Sequence, residues 1–313
     1  MIFDGHSDIF SDVRYKREAG EKNVLQKHHL KRLRQGGIGG GCFVIWADTL
    51  SGRDAAAEMA AIQNAIAAEM AEAVGFRLIH DTREYLAAEA AGDFAILLGI
   101  EGLMGIGADL DRLYDLYAFG CRHAMLTWNE ENLLATGVRG NPERGLTPLG
   151  RKALRLIQEQ GMILDVSHLN ERSFWDVMGE TTAPLLASHS NARALAGAKR
   201  NLTDAQLLAL RDNGGLVGLN AFPAFLSDEK EKQDVGALVR HGAYIAEKIG
   251  VEHLSFGFDF LEFLEGEPSL KGLEDCSRVP LLLQEMKKAG FTDGELEQIG
   301  KGNWLRLMER ILD

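Results

Sequence analysis

The stretch 161–190, GMILDVSHLNERSFWDVMGETTAPLLASHS, decides the fold. It runs from a glycine through the short apolar segment Met162 to Val166 and on to His168. Asn170 to Met178 then carries a helical pattern, and a second short apolar segment, Pro184 to Ser188, ends against His189. Strand, helix and strand in so few residues is a βαβ unit, whose two strands lie parallel. Working outward, the same alternation covers almost the whole chain. Strands are expected at Ile2 to Ser7, Cys42 to Ala47, Phe94 to Ile100, Arg122 to Trp128, Gly215 to Asn220 and Leu254 to Phe258, which with the two already named makes eight. Helical patterns fill Asp54 to Val74, Thr147 to Gln160, Thr203 to Asp212 and Asp234 to Ile249. Thr203 with Gln206 forms a capping box, and Gly161, Gly214 and Gly250 stand where helices end. Eight such units with no Gly/Pro/Ser-rich linker between them predict one α/β domain over residues 1–313, a TIM-type (β/α)₈ barrel; an open doubly wound sheet would have fewer strands.

Composition agrees with this reading and excludes other classes. The 313 residues are 46% hydrophobic and 26% charged, and 34 basic against 46 acidic side chains leave a net charge of −12. That is a globular composition, long enough for one large barrel. An acidic chain with no long basic run argues against nucleic acid or an anionic membrane as partner. Cys42, Cys121 and Cys276 are odd in number and widely spaced, so they read as reduced thiols. No signal-peptide pattern or membrane span is visible, and a cytoplasmic location is expected. An isologous homodimer is the default expectation for such a chain. The glycine run Gly36 to Gly41, with Ile38 inside it, precedes a strand and lacks the GxGxxG spacing, so it reads as a helix-to-strand turn; Arg14 to Lys22, and the basic segment with His28 and His29, read as solvated surface.

A barrel builds its active site at the C-terminal ends of its strands. There the sequence places His6 and Asp8, two apart and on one side of an extended chain; Glu101 between glycines; His168; His189; and Asp259. Each alone is as easily a structural residue. Together, six ionisable groups around one mouth cost several kcal/mol each unless paired or bound to a cation. Imidazoles and carboxylates suit Zn²⁺ or similar divalent ions, and six groups fit two ions better than one, which points to metal-assisted hydrolysis. His123, at the opposite end of its strand, reads as structural.

At these motifs the chain resembles the membrane dipeptidase family, also called renal dipeptidase or peptidase family M19. The resemblance rests on Asp4-Gly5-His6-Ser7-Asp8, Gly99-Ile100-Glu101-Gly102, Leu126-Thr127-Trp128-Asn129, Leu164-Asp165-Val166-Ser167-His168, Ser188-His189-Ser190, Arg200-Asn201-Leu202, Gly257-Phe258-Asp259-Phe260 and Gly302-Asn303, nearly the length of the chain. It implies a (β/α)₈ barrel with two Zn²⁺ that hydrolyses small dipeptides, often with a D-residue at the C-terminal position, by a metal-bridging hydroxide. By motif, His6 and Asp8 would hold the first zinc, Glu101 would bridge, and His168 and His189 would hold the second. Asp259 would handle protons around the water and the leaving amine, and Arg200 would hold the substrate's terminal carboxylate.

Two departures stand out. The family's Leu-Thr-His, whose His contacts the substrate near the scissile carbonyl, is replaced here at Trp128, which leaves Asn129 or a water to supply the donor. After Asp259 the usual Phe-Asp-Gly becomes Phe260-Leu261-Glu262, so the segment Leu261 to Arg278 is expected to shape the pocket differently. The competing readings are another binuclear amidohydrolase, acting on an N-acyl amino acid or a cyclic amide, and a silent metal-binding barrel. Many such amidohydrolases bridge their metals with a carboxylated Lys at a strand end. No Lys ends any of the eight expected strands, and Trp128 alone speaks for the silent barrel.

Overall fold

The computed structural model describes residues 1–48 and 52–313. Its strands are β1 (Ile2–Ser7), β2 (Ile38–Trp46), β3 (Phe76–Ile79), β4 (Phe94–Glu101), β5 (His123–Met125), β6 (Ile163–Asp165), β7 (Leu186–Ala187), β8 (Leu216–Leu219) and β9 (Leu254–Phe256). Eight of them follow one another in the order β1-β2-β4-β5-β6-β7-β8-β9, every pair parallel, with helices on the outside. This is the (β/α)₈ barrel expected from the alternation, nearly closed. Between its last and first strands the seam is held by side chain as well as backbone. Asp4 Oδ1 accepts the Phe258 N–H at 2.9 Å, and the Asp259 N–H reaches His6 O at 3.4 Å.

The two faces of the sheet build two cores. Phe43, Ile45, Ile96, Leu98 and Ile100 face outward onto helical residues such as Phe10, Val13, Met59 and Ile62. Phe3, Cys42, Val44, Ala95, Leu97, Ile163, Leu186 and Leu216 fill the interior toward the strands' N-terminal ends, with Trp304 and Tyr85 packed beneath them. A register shift between Asp4 and Ser7 lets Phe3 and His6, three apart, both face inward. The barrel is thus plugged at the bottom and open at the top, where the strands end.

Four expectations are corrected. A ninth strand, β3, pairs with β4 outside the barrel path; four residues long, with Arg77 inside it, it carries too little apolar periodicity to be visible. The glycine run is not only a turn, since Gly39 to Gly41 lie within β2. A Cβ at Gly40 would stand 2.9 Å from Ala95 O, and one at Gly41 2.9 Å from Asp4 O, so the small residues let β2 pack closely between β1 and β4. Arg14 is buried in the helix Ile9–Glu18 and paired with Glu58 at 3.1 Å. His29 is likewise buried, 2.8 Å from Asp12 Oδ2. Both were masked in sequence by neighbouring charges that do face solvent. Cys42, Cys121 and Cys276 are buried free thiols. The Thr203–Gln206 capping box forms as expected. No helix among the described residues is long and apolar enough to cross a membrane.

Candidate metal centre

Parallel register levels the strand ends. Trp46 pairs with Glu101, Glu101 with Met125, and Met125 with Asp165, so whatever follows these residues enters one mouth. His168 comes three residues after β6, His189 two after β7 and Asp259 three after β9, while Asp8 stands just before the helix that follows β1, its side chain free of any capping bond. His168 and Asp259 hold left-handed backbone, φ +70° and +58°. For side chains with a Cβ this costs on the order of 1–3 kcal/mol each and persists where surrounding structure imposes it, most often at functional sites.

All six sequence-predicted ionisable groups meet. His6 Nε2 lies 3.5 Å from Asp8 Oδ2, 3.6 Å from Glu101 Oε2 and 4.0 Å from Asp259 Oδ1. The other oxygen of the same carboxylate, Glu101 Oε1, is 2.7 Å from His168 Nε2 and 3.6 Å from His189 Nε2. Glu101 therefore stands between two sets of donors, one oxygen toward each. Within these, His6, Glu101 and His189 could share an ion, as could His6, Asp8 and Asp259.

The donor set fits cations. Asn129 Oδ1 is 2.9 Å from His168 Nδ1, so that nitrogen carries the proton and Nε2 presents its lone pair. That lone pair faces Glu101 Oε1 at 2.7 Å and His189 Nε2 at 2.8 Å, so the three atoms need a proton or a cation among them, and a cation serves all three at once. His6 Nδ1, His6 Nε2 and Asp8 Oδ1 are buried without a hydrogen-bond partner. Burial, reinforced by Arg200 and His6, holds His168 and His189 well below the ordinary imidazole range, keeping both neutral and able to donate electron pairs. Burial would lower His6 too, but Glu101 and Asp8 outweigh it and hold that ring well above its usual value. Burial pushes Glu101 and Asp259 upward, as expected of carboxylates short of positive charge.

Neighbouring polar groups fix the orientation of these side chains. Ser188 Oγ sits 2.7 Å from His189 Nδ1. Asp165 Oδ1 accepts the Ser167 N–H at 2.8 Å and the Ser188 N–H at 3.2 Å, tying together the two strand ends that present His168 and His189. His123, read as structural, bonds Asp165 Oδ2 at 2.8 Å inside the barrel and takes no place at the mouth. Asn220 Nδ2 donates to Asp259 Oδ2 at 2.9 Å.

Above the cluster opens a cavity of about 440 Å³, lined by Asp8, Glu101, His168 and Asp259 from the centre and by Trp128, Asn129 and Arg200, the other sequence-predicted residues. His6 and His189 lie below its floor, stacked at 3.8 Å. Arg200 is buried, donates from Nη2 to His189 O at 3.2 Å, and has its guanidinium 5.6 Å from the Phe225 ring centroid. Leu261, Leu264 and Glu267, from the segment Leu261 to Arg278 expected to shape the pocket, line it as well; Trp46, Arg139, Phe222, Ala224 and Phe225 complete the wall and Asn220 supports it, and sequence reasoning gave none of these a role. Trp46 and Asn220 end or follow expected strands, so the strand-end rule could have found them. Arg139 sits on a long connection with no such signal.

Comparison with known proteins gives one consistent result. The family model described as membrane dipeptidase (peptidase family M19) matches residues 1–313. An uncharacterised protein in the pqqA 5′ region of Klebsiella pneumoniae is 36% identical over 226 residues, covering 69% of this chain and 82% of that one. The crystal structure of the dipeptidase AC, a metallopeptidase of family M19, superposes with a TM-score of 0.89 at 28% identity over 99% of this chain and 98% of the other. A metallopeptidase from Rhodobacter sphaeroides, liganded with a phosphinate mimic of the dipeptide L-Ala-D-Ala, superposes with a TM-score of 0.88 at 27% identity over 99% of each chain.

Proposed function

Because the chain belongs to the membrane dipeptidase family, peptidase family M19, and is a metallo-dipeptidase, we propose that it hydrolyses small dipeptides, including those with a C-terminal D-residue, using two Zn²⁺ in a single catalytic unit spanning residues 1–313. The observation that carries this reading is the divided carboxylate of Glu101, one oxygen toward His6 and the other toward His168 and His189. His6 and Asp8 would hold one ion, His168 and His189 the second, and Glu101 would bridge. Bound there, two divalent cations supply Lewis-acid polarisation of the scissile carbonyl and an activated water.

The chain's own residues do the rest. Arg200, planar and buried with Nε unpartnered, offers a two-pronged donor to the terminal carboxylate of the substrate. Trp128 and Asn129 line the cavity beside His168 and bound the substrate's position. Asp259 has one oxygen fixed by Asn220 and leaves the other, Oδ1, toward the centre. It can hold a proton there and pass it to the departing amine nitrogen as the C–N bond breaks.

The test is hydrolysis of a panel of L,L and L,D dipeptides by purified protein, with metal content measured on the same sample and a chelator control. Chelator-sensitive cleavage with about two equivalents of zinc is the expected result. Metal without cleavage of any dipeptide would move the substrate to another amide class, and failure to load metal under replete conditions would dismiss the centre itself.

A further inference from the structure

Two guanidinium groups line the cavity, and the proposed dipeptidase reaction uses only one of them. Arg200 is buried. Arg139 is an exposed side chain on a fixed piece of backbone. Its own N–H donates to Asn129 O at 2.9 Å, and the Val138 N–H donates to His168 O at 2.9 Å, so the segment is tied directly to two residues of the mouth. Its guanidinium carbon stands 5.4 Å from the Trp128 ring centroid, within cation–π range. Trp128 in turn lies 5.4 Å from the Trp46 ring. No ion pair among the described residues involves Arg139; Glu267, the wall's acidic group outside the central cluster, is not bonded to it.

The result is a wall of two indole faces ending in an unpaired cation. Such a wall takes a side chain with a short aliphatic stem and a terminal carboxylate, since the rings cover methylenes and the planar guanidinium pairs with the acid. A neutral amide of the same shape would gain the ring contact but lose the ionic one. We propose that Arg139 is a specificity-determining residue and that this enzyme prefers dipeptides bearing a carboxylate side chain, with Arg200 on the terminal carboxylate and Arg139 on the second. Trp128 serves here as the platform that holds Arg139 over the cavity.

This rests on the dipeptidase reading, and the experiment separates the two. kcat/KM is measured for isosteric pairs, Ala-Glu against Ala-Gln and Glu-Ala against Gln-Ala, each in the L,L and L,D forms. The expected result is at least a tenfold preference for the acidic member at one of the two positions. Arg139→Gln should bring that ratio near one while rates on the amide members stay within about twofold. Arg139→Lys should restore part of the preference, because charge remains while the fork is lost. Binding of free glutamate and glutamine by calorimetry gives a readout that needs no turnover, and the wild type should bind glutamate more tightly by a margin that Arg139→Gln removes. Acidic and amide substrates cleaved equally, or an Arg139→Gln variant that slows all of them alike, would overturn the role of Arg139 and leave the dipeptidase standing. Absence of any dipeptide hydrolysis would remove the dipeptidase reading, and the binding comparison would still decide Arg139.

Discussion

Asn220 Nδ2 donates to Asp259 Oδ2 at 2.9 Å, so one oxygen of the proposed proton carrier is committed and the other is left facing His6. Asn220 is itself held by its backbone, which exchanges hydrogen bonds with the side chain of Asn191. Removing the Asn220 amide frees the Asp259 carboxylate to rotate without removing any metal ligand. Asn220→Ala should lower kcat by about 10- to 100-fold, the usual effect of losing an orienting partner, with metal content unchanged. Steady-state kinetics beside metal analysis checks this. An unaltered kcat would mean that Asp259 needs no orientation from this side.

Glu101→Gln tests the bridge. The variant is nearly isosteric, so packing in the mouth is preserved, but one amide group cannot serve two ions as a carboxylate does. Hydrolysis should fall by on the order of 10³-fold or more, since several kcal/mol of transition-state stabilisation go with the metals. Zinc content should fall with it, while the thermal midpoint of the chelated proteins should be nearly equal. Retained activity with two bound zincs would take Glu101 out of the bridging position.

The legible part of this molecule is the part written in short apolar runs. β1, β4, β6 and β9 announce themselves by β-branched and aromatic residues, and because a barrel puts strand ends at one mouth, His6, Glu101, His168, His189 and Asp259 could be gathered without coordinates. β3 was invisible because four residues outside the barrel path need little apolar periodicity. His29 and Arg14 were misread because a basic neighbourhood resembles solvated surface, whereas the partners that bury them, Asp12 and Glu58, are 17 and 44 residues away. Arg139 was missed for a related reason. Its position over Trp128 is set by backbone bonds to Asn129 and by the bond its neighbour Val138 makes to His168, and no local pattern encodes a loop's tertiary anchors.

Arg200→Ala should raise KM for dipeptides with a free C-terminus by about 10- to 100-fold, the range for losing a hydrogen bond to a charged group, and leave amidated dipeptides nearly unaffected. The side chain is buried and bonded to His189 O, so part of any effect could be structural. The comparison between free and amidated substrates separates the two, because a displaced His189 would slow both. An equal change in both KM values would argue against carboxylate recognition at this residue.

His241 sets a pH limit on the fold. It is fully buried in the helix Val235–Ile249, where Nδ1 accepts the Ala192 N–H at 3.1 Å and Nε2 bonds Leu226 O at 3.1 Å. These two contacts join the segment that leads to Arg200 with the one that carries Phe222 and Phe225. Only the neutral ring can make both, and burial, opposed by the Leu226 carbonyl and assisted by Arg240, lowers its pKa from 6.5 to about 4. Between those values the unfolded chain binds the proton and the folded one does not. Stability from this group is therefore complete above pH 6.5 and is lost as pH falls toward 4, by up to about 3 kcal/mol. Unfolding by urea at pH 7 and pH 5, with excess chelator so that metal release does not contribute, should show the wild type losing roughly 2 kcal/mol more than His241→Gln over that interval. Parallel losses in the two proteins would show that His241 is protonated in the native state as readily as in the unfolded one, and that the bonds to Ala192 and Leu226 do not depend on its charge.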